Sequence, residues 1–182
     1  MPLLLESPID SPRLILRPVK KQDLEDLLKV NGDDDVTRFL PYDSWQSRQD
    51  AEAWYERVQN LVSEGNTLQL VNQRKDNATI VGSCLLFKYD EKLGNAEIGY
   101  VTGREFWRQG YTEEALRGLI GFAFDEMKIR KLNAVVETAN QASTRLLEKL
   151  GFSHEGKSSA NSEEKEEVCY LGLLRQEWSK GA

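Results

Sequence analysis

The residues of this chain with the clearest chemical potential lie in two short stretches. The first, residues 96–116, reads A-E-I-G-Y-V-T-G-R-E-F-W-R-Q-G-Y-T-E-E-A-L: an apolar strand, a basic turn containing glycine, and the start of a helix. Such a turn directs backbone N–H groups and the positive end of a helix dipole at one point, where a phosphate can bind. At Gly110 in this turn, a side chain would obstruct close approach of the backbone. This stretch therefore predicts an anion-binding turn.

The second stretch, residues 140–152, reads N-Q-A-S-T-R-L-L-E-K-L-G-F. Asn140 is a favourable N-cap, and Gly151 is of the type that ends a helix in the left-handed conformation. The stretch follows an apolar run at residues 132–137 that predicts a strand. A capped helix is therefore expected immediately after a strand.

One carboxylate, Glu97, lies in a strand of otherwise apolar or small residues. Burying a carboxylate is costly unless it has a partner or a task. One such task is to take up or release a proton during catalysis. The alternative is an edge glutamate that faces solvent or pairs with an arginine of a neighbouring strand. The sequence leaves both interpretations open.

In spacing and order, the two stretches resemble the GNAT superfamily of acetyl-CoA-dependent N-acetyltransferases. Within it, they are most similar to the branch of ribosomal-protein N-terminal acetyltransferases, the RimJ/RimL-like branch. The opening R-L-I-L-R at residues 13–17 is also typical of that branch. The resemblance spans nearly the whole chain and implies a single acetyltransferase domain over residues 1–182.

The resemblance also implies how coenzyme A is bound. The turn amides would hold its pyrophosphate. The strand at 96–101, fourth in the predicted order, would carry a bulge and splay from the fifth, at 132–137, so that the pantetheine arm enters the gap. One backbone N–H near Tyr100 and Val101 would polarise the thioester carbonyl. Glu97 would match the glutamate that some members use as general base, because an attacking amine is largely protonated near neutral pH and must first lose a proton. The expected coenzyme-binding residues are Gly99, Val101, Arg108, Gln109, Gly110, Tyr111, Thr112, Asn140 and Ser143.

The chain departs from the family pattern at four positions. Trp107 replaces a Gln or Arg, and Thr112 replaces a Gly or Ala. Glu113, at the helix N-terminus, would either weaken coenzyme binding or point away from the coenzyme. Leu147 occupies the position where many relatives carry a tyrosine that protonates the leaving thiolate. Water or another group is therefore expected to supply that proton.

Hydrophobic periodicity predicts the elements that position these residues. Helices are predicted at 20–30, 47–63, 112–127 and 141–150, with a helical turn in 33–40. Strands are predicted at 13–19, 67–72, 80–89, 96–101, 132–137, after Phe152, and at 168–174. The polar run at 156–167 predicts an exposed loop. This order indicates an α+β fold, a mixed twisted sheet with helices on both faces.

Composition limits the classes of protein that remain. A net charge of −6 over 182 residues argues against a general nucleic-acid binder, which needs clustered cations. Cys84 and Cys169 both lie in apolar runs and are too few for a disulfide framework or a zinc site, so no metal is expected. No apolar run approaches the length of a membrane span, and the short uncharged N-terminus does not form a signal peptide. The expected compartment is the cytoplasm.

The expected activity is acetyl transfer from acetyl-CoA, the co-substrate, to a primary amine. Direct attack in a ternary complex is favoured because no nucleophile for a covalent acetyl-enzyme is evident. The expected acceptor is a protein or peptide N-terminal amine. A small amine such as a polyamine or an antibiotic is an alternative acceptor, and a non-catalytic acyl-CoA-binding module is an alternative class. The oligomeric state stays open, with a homodimer among the options.

Overall fold

The computed structural model describes residues 2–158 and 166–178 of the chain. Within these residues, eight strands form one sheet in the order β1-β2-β3-β4-β5-β6-β8-β7. The strands are β1 (Ile9–Asp10), β2 (Leu14–Pro18), β3 (Leu68–Arg74), β4 (Ile80–Asp90), β5 (Asn95–Thr102), β6 (Lys131–Glu137), β7 (Ser153–Ser158) and β8 (Val168–Leu174). Neighbouring strands are antiparallel, with one parallel pair, β5 and β6.

Five helices connect and cover these strands in the described part of the chain. They are α1 (Leu24–Asn31), α2 (Asp34–Thr37), α3 (Arg48–Ser63), α4 (Tyr111–Gly121) and α5 (Gln141–Lys149). The parallel pair needs a long crossover, and α4 supplies it between β5 and β6. Among these helices, none is long and apolar enough to cross a membrane.

Two of the predicted helix starts are confirmed at the level of single hydrogen bonds. The Ser47 N–H donates to Asp50 Oδ2 at 3.0 Å, at the start of α3. The Asn140 side chain accepts from the Ser143 N–H at 3.2 Å, at the start of α5. Both bonds satisfy N–H groups that the first turn of a helix leaves without a partner.

The helices lie on both faces of the sheet, as predicted. Helices α4 and α5 pack on one face over the larger apolar core, which includes Leu70, Leu116 and Leu147. Helices α1 and α3 pack on the other face over a smaller core around Val71. The alternation of Leu70 and Val71 between the two cores follows from the two-residue period of a strand.

The α1/α3 side of the sheet is covered only in part. On β6 and β8, Val135 is 42% exposed and its register partner Tyr170 is 41% exposed. Their neighbours along each strand are buried in the larger core on the opposite face. This side therefore presents an open sheet surface, which we call the open face, formed by the outward residues of β6, β8 and β7.

Three boundaries differ from the sequence-based prediction. The two-residue strand β1 was not predicted, since so short a run carries no periodic signal. Residues 156–158 of the predicted loop belong to β7, and residues 159–165 lie outside the described part of the chain. The predicted helix at 112–127 is regular to Gly121 and continues as a wider π-type turn, Phe122–Glu126. Hydrophobic spacing does not distinguish that turn from a regular helix.

Strands β5 and β6 separate after a short pairing, as the family resemblance implied. They pair only at Asn95↔Lys131, Ala96↔Leu132 and Glu97↔Asn133. The remainder of β5 keeps an unbroken register with β4 as far as Thr102. We call the wedge between the diverging parts of β5 and β6 the gap.

The expectation of a bulge on the strand at 96–101 is wrong. The register shift between β4 and β5 lies between Phe87 and Asp90, where β4 contains the extra residue. Lys88, with φ of 50°, adopts the left-handed conformation there and accommodates it. The irregularity therefore belongs to the neighbouring strand.

Candidate coenzyme and acceptor site

The turn between β5 and α4 has the conformation that the sequence predicted for an anion site. Gly110 is the N-cap of α4 and adopts φ of 80°, in the left-handed region that favours glycine. A Cβ atom added there would have only Arg13 Nη2 within 4 Å, at 3.4 Å. The space in front of the turn is therefore open to a ligand.

The backbone of this turn carries several N–H groups without a protein acceptor. The first regular bond of α4 runs from the Glu114 N–H to the Gly110 carbonyl, at 3.0 Å. Within the described residues, none of the N–H groups of residues 108–113 donates to the protein. Arg108 is exposed and has no ion pair or hydrogen bond to any described residue. Free amides, a helix N-terminus and an unpaired guanidinium at one place suit a phosphate group.

Several contacts brace the turn from behind. Arg13 Nη1 donates to the Gln109 carbonyl at 2.9 Å, and its guanidinium lies 4.2 Å from the centroid of the Tyr111 ring. The Thr112 and Thr102 hydroxyl oxygens are 2.7 Å apart. Tyr111 is buried, and the Gln109 side chain donates to the Glu105 carbonyl at 2.7 Å. The side chains of Gln109, Tyr111 and Thr112 thus hold the turn, which leaves its backbone free.

Both acidic residues at the start of α4 are neutralised by neighbouring cations. Lys149 Nζ lies 2.6 Å from Glu113 Oε2, and Arg117 also pairs with Glu113. The Lys149 hydrogen bond, with that of Arg117, holds the pKa of Glu113 below its usual value despite partial burial. Glu113 therefore points towards α5, which is the second of the two outcomes expected from the sequence.

Glu114 binds the chain around the β1–β2 turn instead. Its carboxylate accepts from the Arg13 N–H at 2.6 Å and from the Ser11 hydroxyl at 2.9 Å, and it pairs with the Arg13 side chain at 2.7 Å. Burial alone would raise the pKa of Glu114, but these hydrogen bonds outweigh it and lower the pKa. Both carboxylates are therefore engaged by protein partners.

The gap exposes backbone groups of alternate residues of β5. The Gly103 N–H donates to the Val81 carbonyl at 2.9 Å, so that Gly103 and Val101 direct their polar groups at β4. By the alternation of an antiparallel pair, Tyr100 directs its N–H and carbonyl at the gap. The backbone groups that line the gap are thus those of Tyr100 and Ile98, rather than those of Gly99 and Val101.

Gly99 has a steric role of its own. A Cβ atom added to it would lie 2.6 Å from Leu85 Cδ2, so a larger residue there would displace the end of the Leu85 side chain where it crosses β5. Val101 is buried on the same side of the sheet. Both residues therefore shape the α1/α3 side of β5 beside the gap.

Helix α5 closes the opposite side of the gap. Asn140 caps this helix, and the Ser143 hydroxyl lies 2.5 Å from the Tyr100 hydroxyl. Burial raises the pKa of the Tyr100 phenol to about 12, against the opposing effect of the Ser143 hydrogen bond. Leu147, one turn further along α5, is fully buried in the larger core.

Glu97 lies at the point where β5 and β6 stop pairing. Its side chain is 16% exposed, and Lys88 Nζ donates to Glu97 Oε2 at 2.9 Å. The partner is thus a lysine of the adjacent β4, not the arginine that the alternative interpretation named. The contact gives Glu97 a structural role and is also compatible with proton transfer through its other oxygen.

A second carboxylate on the same side of the sheet was missed by sequence reasoning. Glu155 of β7 pairs with Lys131, and its carboxylate lies over Gly172. Gly172 is in register with Asn133, which is in register with Glu97. Two strand spacings, roughly 10 Å, therefore separate the backbones of Glu97 and Gly172. Glu155 directly precedes the polar run at 156–167, so nothing in the sequence distinguished it from solvated residues.

These features fit a coenzyme with a pyrophosphate and an extended amide-containing arm. The unpaired N–H groups of residues 108–113 match the phosphates, and the unpaired backbone of β5 matches an arm with amide groups. No group of three or more metal-ligating side chains occurs in residues 2–158 and 166–178.

The fold and this site define an acetyltransferase of the GNAT type. A model of the acetyltransferase (GNAT) domain family matches residues 13–153. The chain belongs to this family and is an N-acetyltransferase.

Relatives and solved structures agree with this assignment. The uncharacterised N-acetyltransferase YoaA of Bacillus subtilis (strain 168) is 31% identical over 148 residues, which cover 81% of this chain and 84% of YoaA. YdaF of the same organism, provisionally named a ribosomal N-acetyltransferase, is 30% identical over 56% of this chain and 57% of its own length.

Among solved structures, a GNAT-family acetyltransferase from Bacillus anthracis superposes with a TM-score of 0.82 at 23% identity, covering 93% of this chain and 99% of that one. A spermidine N-acetyltransferase from Vibrio cholerae, in complex with CoA and spermine, superposes with a TM-score of 0.78 at 17% identity, covering 91% and 97%. At these identities, the two structures establish the shared fold.

Proposed function

We propose that this protein transfers the acetyl group of acetyl-CoA to the N-terminal amine of a peptide or protein. The observation that carries the coenzyme part is the row of unpaired N–H groups at residues 108–113, in front of a turn that Gly110 keeps open. With acetyl-CoA bound through its phosphates at this turn, its thioester would supply an acyl group activated for attack by an amine.

The chain's own residues divide this work between the two sides of the gap. The amides of 108–113 and the Arg108 guanidinium bind the phosphates. The unpaired backbone of Ile98 and Tyr100 pairs with the extended arm, and the Tyr100 N–H is directed where it can stabilise a developing oxyanion. At the start of α5, Asn140 and Ser143 line the other side of the site for the arm.

The proposed general base is Glu97, at the mouth of the gap. It is the only carboxylate of β5, and it faces the side of the sheet from which an acceptor reaches the gap across the open face. The carboxylate would take a proton from the ammonium group directly or through water before attack.

A peptide acceptor is supported by the shape of the surface beside the gap. No helix of residues 2–158 or 166–178 covers the open face, and Val135 and Tyr170 offer apolar contact to an extended chain. The sequence resemblance to the RimJ/RimL-like branch points the same way. The net charge of −6 suits any cationic acceptor and does not distinguish a peptide from a polyamine.

The test of coenzyme binding compares two glycines in matched settings. Gly110 and Gly151 both have positive φ, and a Cβ atom at either meets one side-chain atom at 3.4 Å. Gly110→Ala and Gly151→Ala should each destabilise the fold by about 1 kcal/mol through backbone strain. Acetyl-CoA at about 100 times its dissociation constant should stabilise the wild type and Gly151→Ala by about 2.7 kcal/mol. Gly110→Ala should lose much of this gain, and Gly110→Asp all of it.

Thermal unfolding with and without acetyl-CoA measures both effects. If acetyl-CoA does not change the melting temperature of the wild-type protein, the proposal is contradicted. Equal coenzyme shifts in the Gly110→Asp and Gly151→Ala variants would show that the coenzyme binds elsewhere.

A further inference from the structure

Two hydroxyl groups lie in contact at the floor of the gap, and one of their two hydrogens is not used in that contact. Tyr100 lies on the diverging part of β5 and Ser143 on the first turn of α5, so their 2.5 Å contact bridges the two sides of the gap. Each hydroxyl carries one hydrogen, and the contact uses one. In the described residues, neither hydroxyl has a further hydrogen-bond partner. The second hydrogen is therefore available to a group that enters the gap.

Either hydroxyl can donate in this contact, and relative acidity favours Tyr100 as the source of the second hydrogen. If Ser143 donates to the Tyr100 oxygen, the phenolic hydrogen is left free to point away from α5. The Ser143 bond acts to lower the pKa of the phenol, as a bond donated to a phenolate does. A phenol is also much closer in acidity to a thiol than an aliphatic hydroxyl is, with reference pKa values of about 10 and 8.5 for tyrosine and cysteine.

We propose that Tyr100 is the acid that protonates the departing sulfur, with Ser143 as the hydrogen-bond donor that supports it. The inference rests on the proposed function. It fills the role left open by Leu147, which is apolar and sealed in the core. Tyr100 lies on a strand that faces α5. It contacts this helix at Ser143, one turn before Leu147.

The step balances without a further reactant. The bond between the acetyl carbon and sulfur breaks, and its electron pair stays on sulfur. The Tyr100 proton joins the sulfur to give the free thiol. The proton that the amine nitrogen loses as the amide forms returns to the Tyr100 oxygen through solvent.

Because the pKa of the phenol is raised, the rate of this proton transfer should depend on the acidity of the phenol. The phenol is protonated throughout the working pH range, so the proton is always present. Transfer runs uphill from a phenol of pKa about 12, so a more acidic phenol at the same position should speed the step. A hydroxyl that only held the gap together would show no such trend.

The first experiment substitutes Tyr100→Phe, with Tyr89→Phe as control. Tyr89 is also partly buried against the larger core but lies near the bulge of β4. Tyr100→Phe should lower kcat by about 10²-fold, the usual size of a general acid contribution, with little change in the KM of acetyl-CoA. Tyr89→Phe should leave kcat near the wild-type value.

The second experiment measures binding alone, with coenzyme A and with desulfo-coenzyme A, which lacks the sulfur. Wild-type protein should bind coenzyme A about 3- to 10-fold more tightly, the range of one neutral hydrogen bond. This preference should disappear in Tyr100→Phe and persist in Tyr89→Phe. A purely structural hydroxyl would change both affinities equally.

The third experiment keeps the hydroxyl, so that loss of folding cannot imitate the result. Fluorotyrosine and difluorotyrosine at position 100 lower the phenol pKa stepwise and should raise kcat in that order. A flat series, together with an unchanged preference for coenzyme A in Tyr100→Phe, would overturn the inference. A wild-type protein that neither binds coenzyme A nor releases thiol would instead overturn the proposed function.

Discussion

At the scale of single residues, two carboxylates on one side of the sheet compete for the role of base. Glu97 pairs with Lys88 and Glu155 with Lys131, so each is held by one lysine. Glu97 is the less exposed of the two and lies directly at the mouth of the gap. Position favours Glu97, and Glu155 provides a matched comparison.

We expect Glu97→Gln to lower turnover at neutral pH by about 10²-fold, because the amide cannot take the ammonium proton. Glu155→Gln, which removes a similar lysine pair, should have a much smaller effect. Raising the pH should restore part of the Glu97→Gln rate, since more amine is then already neutral. Steady-state kinetics from pH 6.5 to 9.5, with coenzyme affinity measured beside them, give the answer. The reverse order of the two variants would transfer the role to Glu155.

At the scale of secondary-structure elements, the start of α4 is tied to both of its neighbours. Glu114 joins it to the β1–β2 turn through Arg13, and Glu113 joins it to α5 through Lys149. The same Arg13 supports the carbonyl of Gln109. The N-terminus of α4 is thereby fixed in place while its leading amides stay free.

These ties predict a loss of stability in acid. The folded-state pKa values of Glu113 and Glu114 are both below the reference value of 4.5. A depressed pKa stabilises the fold above the unfolded value, and this contribution is lost as the pH falls through the folded value. Glu114→Gln should therefore lower stability by about 1 kcal/mol at pH 7, with allowance for the exposed Arg13.

Urea unfolding at pH 3 to 7 measures this contribution. The difference between wild type and Glu114→Gln should shrink below pH 4.5. Glu52→Gln, which breaks an exposed pair with Arg48, is the control and should change stability by at most about 0.5 kcal/mol. A difference for Glu114→Gln that is independent of pH would show that its charge is not involved.

The elements of the site were predictable where a local rule acts. The roles of Asn140 and Gly110 are predictable from residue type, because a helix cap and a left-handed turn depend on one residue and its immediate neighbours. The lysine partners of Glu97 and Glu113 depend on which strand or helix comes to lie beside them, 9 and 36 residues away. No spacing rule covers such pairs. The contact of Tyr100 with Ser143 joins residues 43 apart and escaped notice for the same reason.

At the scale of the whole molecule, the helices of the described residues cover one face of the sheet and leave part of the other open. Helices α4 and α5 cover the larger core, whereas α1 and α3 leave the β6–β8–β7 portion exposed. On the proposed function, an acceptor would approach the gap along a broad surface rather than through a closed pocket. A broad approach suits a peptide chain.

We expect the specificity constant for short peptides with a free N-terminus to exceed that for spermidine or an aminoglycoside. An α-amine has a pKa of about 7.7–8.0, against about 10.4 for a lysine-type amine, so its neutral fraction at pH 7 is about 10²-fold larger. Thiol release with each acceptor at equal concentration measures the preference, and an N-acetylated peptide is the blank. A clear preference for spermidine would exclude the peptide acceptor and leave the acetyltransferase assignment intact.

The gap also bears on how the chain avoids aggregation while it folds. The outer edges of the sheet are poor templates for a foreign strand, because β1 has only two residues and β7 carries His154, Glu155 and Lys157. The diverging part of β5 is different, since Ile98 and its neighbours form an unpaired, largely apolar edge inside the sheet. Helix α5 packs beside that edge through Leu147 and Leu150. Because an unpaired strand edge can template other chains while the fold is forming, the diverging part of β5 is where this sheet is most open to misassembly.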